Sequence, residues 1–314
     1  MRVKFPENKK FAFSIFDDTD KATLENVGPV YKLLSNLGIY TTKSVFVFPQ
    51  EDSDNPATRG QTLSDPKYLS FILELRDRGF EIGFHGARGI SSKRADIIKA
   101  IEHFKEAIGY YPKVYANHLE NKEKIYWNEK RFSLGILKLL YKILTFKRNF
   151  EEKWRSEGND PRSEYFWGDI VKKYITYVRN LTFPQINTLK INPSMPYYDP
   201  KKPYVNFWFS SSDGHDAKTF NKLLSKENID KLEKENGVCI VYTHFANDFV
   251  ANNEVNPTTK YLLTQLSKRD GWFAPVSTIL DYLASKRNLH TLSLSEKIKI
   301  ETMWFFYKIQ HGTS

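Results

Sequence analysis

Phe11-Ala-Phe-Ser-Ile-Phe-Asp-Asp-Thr-Asp20 decides how the rest of the chain is read. Its apolar first half has the length of a buried β-strand. Three carboxylates, Asp17, Asp18 and Asp20, arrive together at its carboxyl end. Sheets and barrels of the α/β class place their chemistry at that end of their strands. One reading has Asp17, Asp18 and Thr19 capping a helix that begins near Ala22, because Asp and Thr favour N-caps. The other reading is a site, since adjacent carboxylates after a buried strand repel each other unless a cation or a shared proton compensates them.

Outward from this stretch, strands and helices alternate. Helical spacing runs from Ala22 to Leu37, Thr42–Phe48 reads as a second strand, and Pro49–Asp65 is a polar loop on the rim of Asp17. A helix over Tyr68–Arg78 precedes the strand Phe80-Glu-Ile-Gly-Phe-His-Gly-Ala-Arg88, which presents His85 at a tight glycine turn. A helix over Ser92–Ile108 leads to Lys113-Val-Tyr-Ala-Asn-His118, again ending on metal-competent groups, Asn117 and His118. Between Trp127 and Asn180 the rhythm is lost. Two amphipathic stretches joined by the polar linker Glu151–Pro161 read as a helical insertion. Short strands then resume and end in Ser211-Ser-Asp-Gly-His-Asp216, a cluster that equally suits a turn and a helix cap. The buried strand Val238-Cys-Ile-Val-Tyr-Thr-His244 delivers another imidazole. Helix Thr258–Lys268, strand Trp272–Val276 and helix Ser277–Lys286 complete the series. The stretch Leu292–Ile309 is an amphipathic tail. The division expected is one barrel domain over 1–290, with the insertion at about 127–180, followed by the tail 291–314.

With 314 residues and 36.8 kDa, the chain is long enough for one large α/β domain. The single cysteine, Cys239, lies inside an apolar strand and excludes a disulfide framework. The N-terminus has no apolar signal core and no window has the ~18 to 20 apolar residues of a membrane span, so a cytoplasmic location is expected. The excess of 47 basic over 37 acidic side chains would suit an anionic partner. The lysines are spread over most helices and no nucleic-acid motif is present, so nucleic acid is not expected. Lysine-flanked Phe132–Phe146 and the aromatic Trp304–Tyr307 instead suggest peripheral contact with a membrane surface, against the simpler role of packing on the barrel.

Strand ends thus offer Asp17, Asp18, His85, Asn117, His118, Asp213 to Asp216, and His244, a set of aspartates and imidazoles without thiolate. Such donors suit a divalent ion such as zinc with a position open to water. The pattern resembles the polysaccharide deacetylases, carbohydrate esterase family four. Ile15-Phe-Asp-Asp-Thr19 is similar to that family's Thr-Phe-Asp-Asp-Gly motif, Glu81-Ile-Gly-Phe-His85 to the first half of its His-Ser/Thr-x-x-His motif, and Ile240-Val-Tyr-Thr-His244 to its last motif. The resemblance implies a deformed (β/α) barrel of the NodB-homology type. It implies a metal-dependent deacetylase acting on an N-acylated sugar or glycan precursor, with Asp17 as general base, Asp18 and His85 as metal ligands and His244 as general acid. Two departures stand out: Gly89 occupies the place of the second motif histidine, and Tyr115-Ala-Asn-His118 replaces an Arg-x-Pro-x-Gly motif.

His118, or alternatively Asn117, is the candidate for the missing ligand, and Asp213 or Asp216 for orienting His244. Asn117, Arg88 and Trp167 are candidate substrate contacts. A rival reading is a catalytically silent barrel that binds a carbohydrate or a partner protein. A two-carboxylate glycosidase fits poorly, because that chemistry needs acids several ångströms apart across a sugar.

Overall fold

The computed structural model describes residues 3–50, 60–146, 154–287 and 290–311. The central part of the expected Pro49–Asp65 loop and the first part of the Glu151–Pro161 linker lie outside the described residues. In chain order the elements are β1 (Phe11–Asp17), α1 (Leu24–Asn36), β2 (Thr42–Phe46), α2 (Pro66–Asp77), β3 (Glu81–Gly86), α3 (Arg94–Ile108), β4 (Val114–Ala116), α4 (Gly135–Leu144) and α5 (Gly168–Tyr174). There follow β5 (Tyr177–Phe183), α6 (Thr188–Ile191), β6 (Tyr197–Tyr198), β7 (Phe207–Asp213), α7 (Ala217–Leu223), α8 (Lys226–Lys234) and β8 (Val238–Thr243). Last come β9 (Val250–Ala251), β10 (Glu254–Val255), α9 (Pro257–Ser267), β11 (Gly271–Phe273), α10 (Val276–Ser285), β12 (His290–Thr291) and α11 (Leu294–His311).

Seven parallel strands close into a barrel in the order β1-β2-β3-β4-β5-β7-β8, with β8 returning to β1. The closure is uneven. β1 pairs with β8 over six residues on one side, whereas on the other its first three residues pair with β11 and only Phe16 and Asp17 pair with β2. Every residue of β1 is buried, as expected of a strand inside a parallel sheet covered by helices. The expected deformed (β/α) barrel is therefore the observed fold.

Thr23, rather than the aspartates, caps α1 through a reciprocal bond with Asn26, which releases Asp17, Asp18 and Asp20 from the capping role. Between β4 and β5 the βα rhythm returns before residue 180, because α5 leads directly into β5. Helix α4 and the tail helix α11 meet over the end of β5. Phe132, Leu137, Tyr141, Leu181, Phe183, Ile300, Trp304 and Phe305 form there a second apolar cluster beside the main core. One side of each helix thus packs, yet α4 leaves Ile136, Leu139, Ile143 and Leu144 more than half exposed.

Candidate metal and catalytic centre

The carboxyl ends of β1, β3, β4 and β8 converge on Asp20. Its Oδ1 lies 2.7 Å from His118 Nε2, and its Oδ2 lies 3.0 Å from His244 Nε2 and 3.3 Å from His85 Nε2. Each histidine is placed by its own strand. His85 is presented beside Gly86, whose φ of +143° a side chain would strain. His118 follows β4, and its Nδ1 faces Asn121 Oδ1 at 3.0 Å, so that Nε2 is the nitrogen left for the site. His244 follows β8 and has Nδ1 on the carbonyl of His215 at 3.1 Å.

Asp18 is engaged from the other direction. Arg179, from the middle of β5, grips both its oxygens at 2.9 and 2.6 Å, and the guanidinium sits 4.2 Å from the centre of the Tyr242 ring. Asp18 Oδ1 lies 3.8 Å from His85 Nδ1, so Asp18 and Asp20 flank opposite edges of one imidazole. Asp17 is fully buried behind them. Its Oδ2 pairs with Lys43 at 2.9 Å and accepts from the Tyr31 hydroxyl at 3.0 Å, and its Oδ1 accepts from the backbone of Phe245 at 2.8 Å.

The electrostatics follow from this packing. Burial opposes the charge on Asp20, but the His118 and His85 imidazoles outweigh it and hold the carboxyl well below its usual range. Burial also opposes protonation of His118 and His244. The Asp20 carboxylate prevails at both, raising His118 to about 9 and His244 above its ordinary value. His85 stands apart: it is 1% exposed and neither ring nitrogen has a hydrogen-bond partner. Its nearest charged neighbours are Asp20 at 3.3 Å and Asp18 at 3.8 Å, between which an ion has room for a donor from the imidazole.

The fit to a metal ion is direct. Asp18, Asp20 and His85 can each bring one donor atom within 4.8 Å of the others. Around a tetrahedral zinc ion with bonds of about 2.0–2.1 Å, neighbouring donors stand roughly 3.3 Å apart. The spacings of Asp20 from His85 and His118, 3.3 and 2.7 Å, are of that order. Asp20 is the donor that the motif comparison passed over. The signal for it was the third carboxylate of the opening stretch.

Several expected residues take other places. Asp17, expected as the base, is fully buried, with Lys43 and Tyr31 on one oxygen and the Phe245 N–H on the other. Neither Asp213 nor Asp216 orients His244. Asp213 binds His215 and Tyr307, and Asp216 caps α7 through Thr219. Asn117 is buried, and its amide accepts from Tyr115 and the Ile125 N–H and donates to the Ile125 carbonyl, bracing the loop after β4. Trp167 is a core residue, packed edge-on against Tyr115 with its indole N–H on the Glu123 carbonyl at 2.7 Å. Arg88 lies over Phe48 and donates to the Pro49 carbonyl. The residues missed were Arg179, Lys43 and Asn121. The first two carried a legible sign, a charge inside a buried strand, which requires a carboxylate partner.

No family model and no curated protein matches the sequence. The fold does match solved structures. A structure described as a polysaccharide deacetylase from Mycobacterium smegmatis superposes with a TM-score of 0.53 at 13% identity, covering 93% of this chain and 96% of that one. Another, described as a polysaccharide deacetylase from Pseudomonas aeruginosa PAO1, gives 0.50 at 12% identity over 92% and 96%. Puue Allantoinase gives 0.52 at 12% identity over 92% and 95%. The chain therefore has the barrel of the polysaccharide deacetylases. That barrel also carries allantoinase, and the chemistry has to be argued from the site.

Proposed function

We propose that the protein is a hydrolase dependent on a divalent ion, with zinc the first candidate, that removes an acyl group from an N-acylated sugar. The observation that carries this reading is His85, buried without a hydrogen bond between Asp18 and Asp20, the second an aspartate on which two further imidazoles converge. Asp20, His85 and His118 would hold the ion. When bound, it polarises the amide carbonyl and makes water a better nucleophile.

The chain's own groups divide the remaining work. Asp18, fixed in orientation by the two-pronged Arg179 contact, takes the proton of the attacking water. His244, its Nε2 3.0 Å from Asp20, gives a proton to the leaving amine. The His215 carbonyl fixes the ring by accepting from Nδ1. Asp17 sets the position of the Asp18 backbone without touching substrate. In this assignment the base is one residue later than in the family's motif, and Asp20 takes the ligand role expected of Asp18.

The test is metal analysis of the purified protein together with release of acetate from N-acetylglucosamine oligomers or their derivatives. About one ion per chain, lost in His85→Ala along with activity, is the expected result. Protein that takes up no divalent ion would leave the silent barrel as the reading.

The exposed side of α4 supports the expected peripheral membrane contact. Ile136, Leu139, Ile143, Leu144 and Phe146 are more than half exposed in a basic chain. Among the described residues no helix is long and apolar enough to cross a membrane, so the contact would lie in the surface. The occupant is an anionic lipid surface, where apolar insertion and about 1 kcal/mol per nearby basic residue add. Co-sedimentation with phosphatidylglycerol vesicles at low salt should fall at least several-fold in Ile136→Asp/Ile143→Asp. Equal sedimentation of that variant and the parent would overturn the contact.

A further inference from the structure

Arg131 ends the short 3-10 turn Asn128–Arg131 and is 4% exposed. Its guanidinium carbon stands 3.2 Å from the centre of the Trp127 ring and 4.7 Å from that of Trp304 on α11. Nε is sealed from solvent without a hydrogen-bond partner. Among the described residues no carboxylate pairs with the group. Stacking between indoles stabilises a cation but supplies neither countercharge nor acceptors, and a guanidinium withdrawn from water needs both.

The surroundings add positive charge. Arg179 and Lys308 lie close enough to repel Arg131; burial, assisted by Arg179, brings its pKa down to about 9. The nearby acids are committed elsewhere. Glu301 accepts from the backbone of Ser133 and Leu134, and Asp199 pairs with Lys297 and Lys202. Lys130, Phe132 and Ser133, the chain neighbours of Arg131, wall an adjoining cavity of about 270 Å³ whose lining also includes Lys138, Lys201 and Lys202 and no acidic side chain. Ser133 Oγ, in the same lining, is buried without a partner. Lys202 Nζ joins the two regions by donating to the Arg131 carbonyl at 2.6 Å.

We propose that the Arg131 guanidinium and the adjoining lysine-lined cavity form a phosphate subsite that binds the phosphate or diphosphate ester of the substrate. A carboxylate is matched by one planar guanidinium, whereas cations spread over a turn and a cavity suit a group with two or more negative charges. The link to the catalytic centre runs through Arg179, which grips Asp18 and stacks on Tyr242, the same ring whose hydroxyl lies in the field of Arg131. This inference rests on the deacetylase reading for the sugar end of the substrate, and it concerns a separate group of residues.

The experiment is calorimetric titration of the full chain with inorganic pyrophosphate, which needs neither turnover nor metal. Binding should be present at low salt, weaken as salt rises, and fall ~10-fold or more in Arg131→Gln. Because Arg131→Gln removes a packed side chain, Lys201→Gln serves beside it. Lys201 is exposed, and its loss should weaken binding a few-fold with the fold intact. His85→Ala should bind pyrophosphate as the parent does. That result, combined with absent hydrolysis in the parent, would fail the deacetylase reading and leave the subsite standing. UDP-N-acetylglucosamine and the same sugar on a short prenyl diphosphate form the second arm, and tighter binding of one identifies the carrier. No pyrophosphate binding by the parent, or equal binding by the parent and both subsite variants, would overturn the subsite.

Discussion

Asp17 and Asp20 lie three residues apart in one stretch of chain and meet opposite environments. Asp17 is sealed and fully satisfied: Lys43, Tyr31 and a backbone N–H account for both its oxygens. Asp20 is partly exposed and stands among three imidazoles, with His118 on one oxygen and His85 and His244 on the other. A satisfied buried ion pair holds a fold, because removing one member strands the other. A partly exposed carboxylate among three histidines is placed to bind a cation together with them. Proximity in sequence to a motif thus says less about role than the partners each oxygen finds.

The sharpest way to break this contrast is at the site. Asp20→Ala should cost more than the ~10- to 100-fold in metal affinity that outer partners typically control, whereas Asp17→Asn should keep its metal. Asp18→Asn should also retain metal but lose ~10²- to 10⁴-fold in turnover, the range of a general base. Metal stoichiometry and single-turnover rates read the two effects separately. If Asp18→Asn empties the site and Asp20→Ala does not, the assignment of the two residues is reversed.

The next effect is one of stability. Asp17→Asn leaves the Lys43 ammonium buried without its countercharge, at a cost of ~3–5 kcal/mol in unfolding free energy. Asp17→Asn combined with Lys43→Met should recover much of that loss, since the unpaired buried ammonium is then gone. Denaturant midpoints would check this. A double variant no more stable than the single one would mean that Asp17 holds the fold through Tyr31 and Phe245 instead.

These outcomes bear on what the sequence disclosed. The barrel was legible because each strand is a short apolar run and each turn carries Gly, Pro or Asp, so the alternation survives without long-range information. His85, His118 and His244 were legible for the same reason, since each directly follows or ends a strand. What stayed hidden depends on side-chain partners across the barrel. Arg179 reaches Asp18 from a strand 161 residues further along, and nothing near either residue announces the pairing. Asp17 and Asp18 look equivalent in sequence, and only the inward Lys43 on β2 separates them. Asn117 resembled a substrate contact because polar groups near strand ends serve both binding and bracing.

The smallest expected effect concerns how the tail helix joins the site. Tyr307 on α11 donates to Asp213 Oδ2 at 2.8 Å, and His215 holds the other oxygen at 3.0 Å. Burial works against the Asp213 charge, but these two bonds overcome it and bring the carboxyl to about 2, below the ordinary 3.8. A carboxylate held below its unfolded value contributes stability that is fully present above that value and is lost as pH falls through the folded one. Docking of α11 should therefore be constant from neutral pH down to about 4 and should loosen toward pH 2. Hydrogen exchange over α11 reads this directly, against the barrel strands as reference. Asp213→Asn should weaken docking by about 1 kcal/mol, the worth of one hydrogen bond, and should remove that part of the acid sensitivity. Unchanged acid loosening in Asp213→Asn would place the sensitive contact elsewhere on the helix.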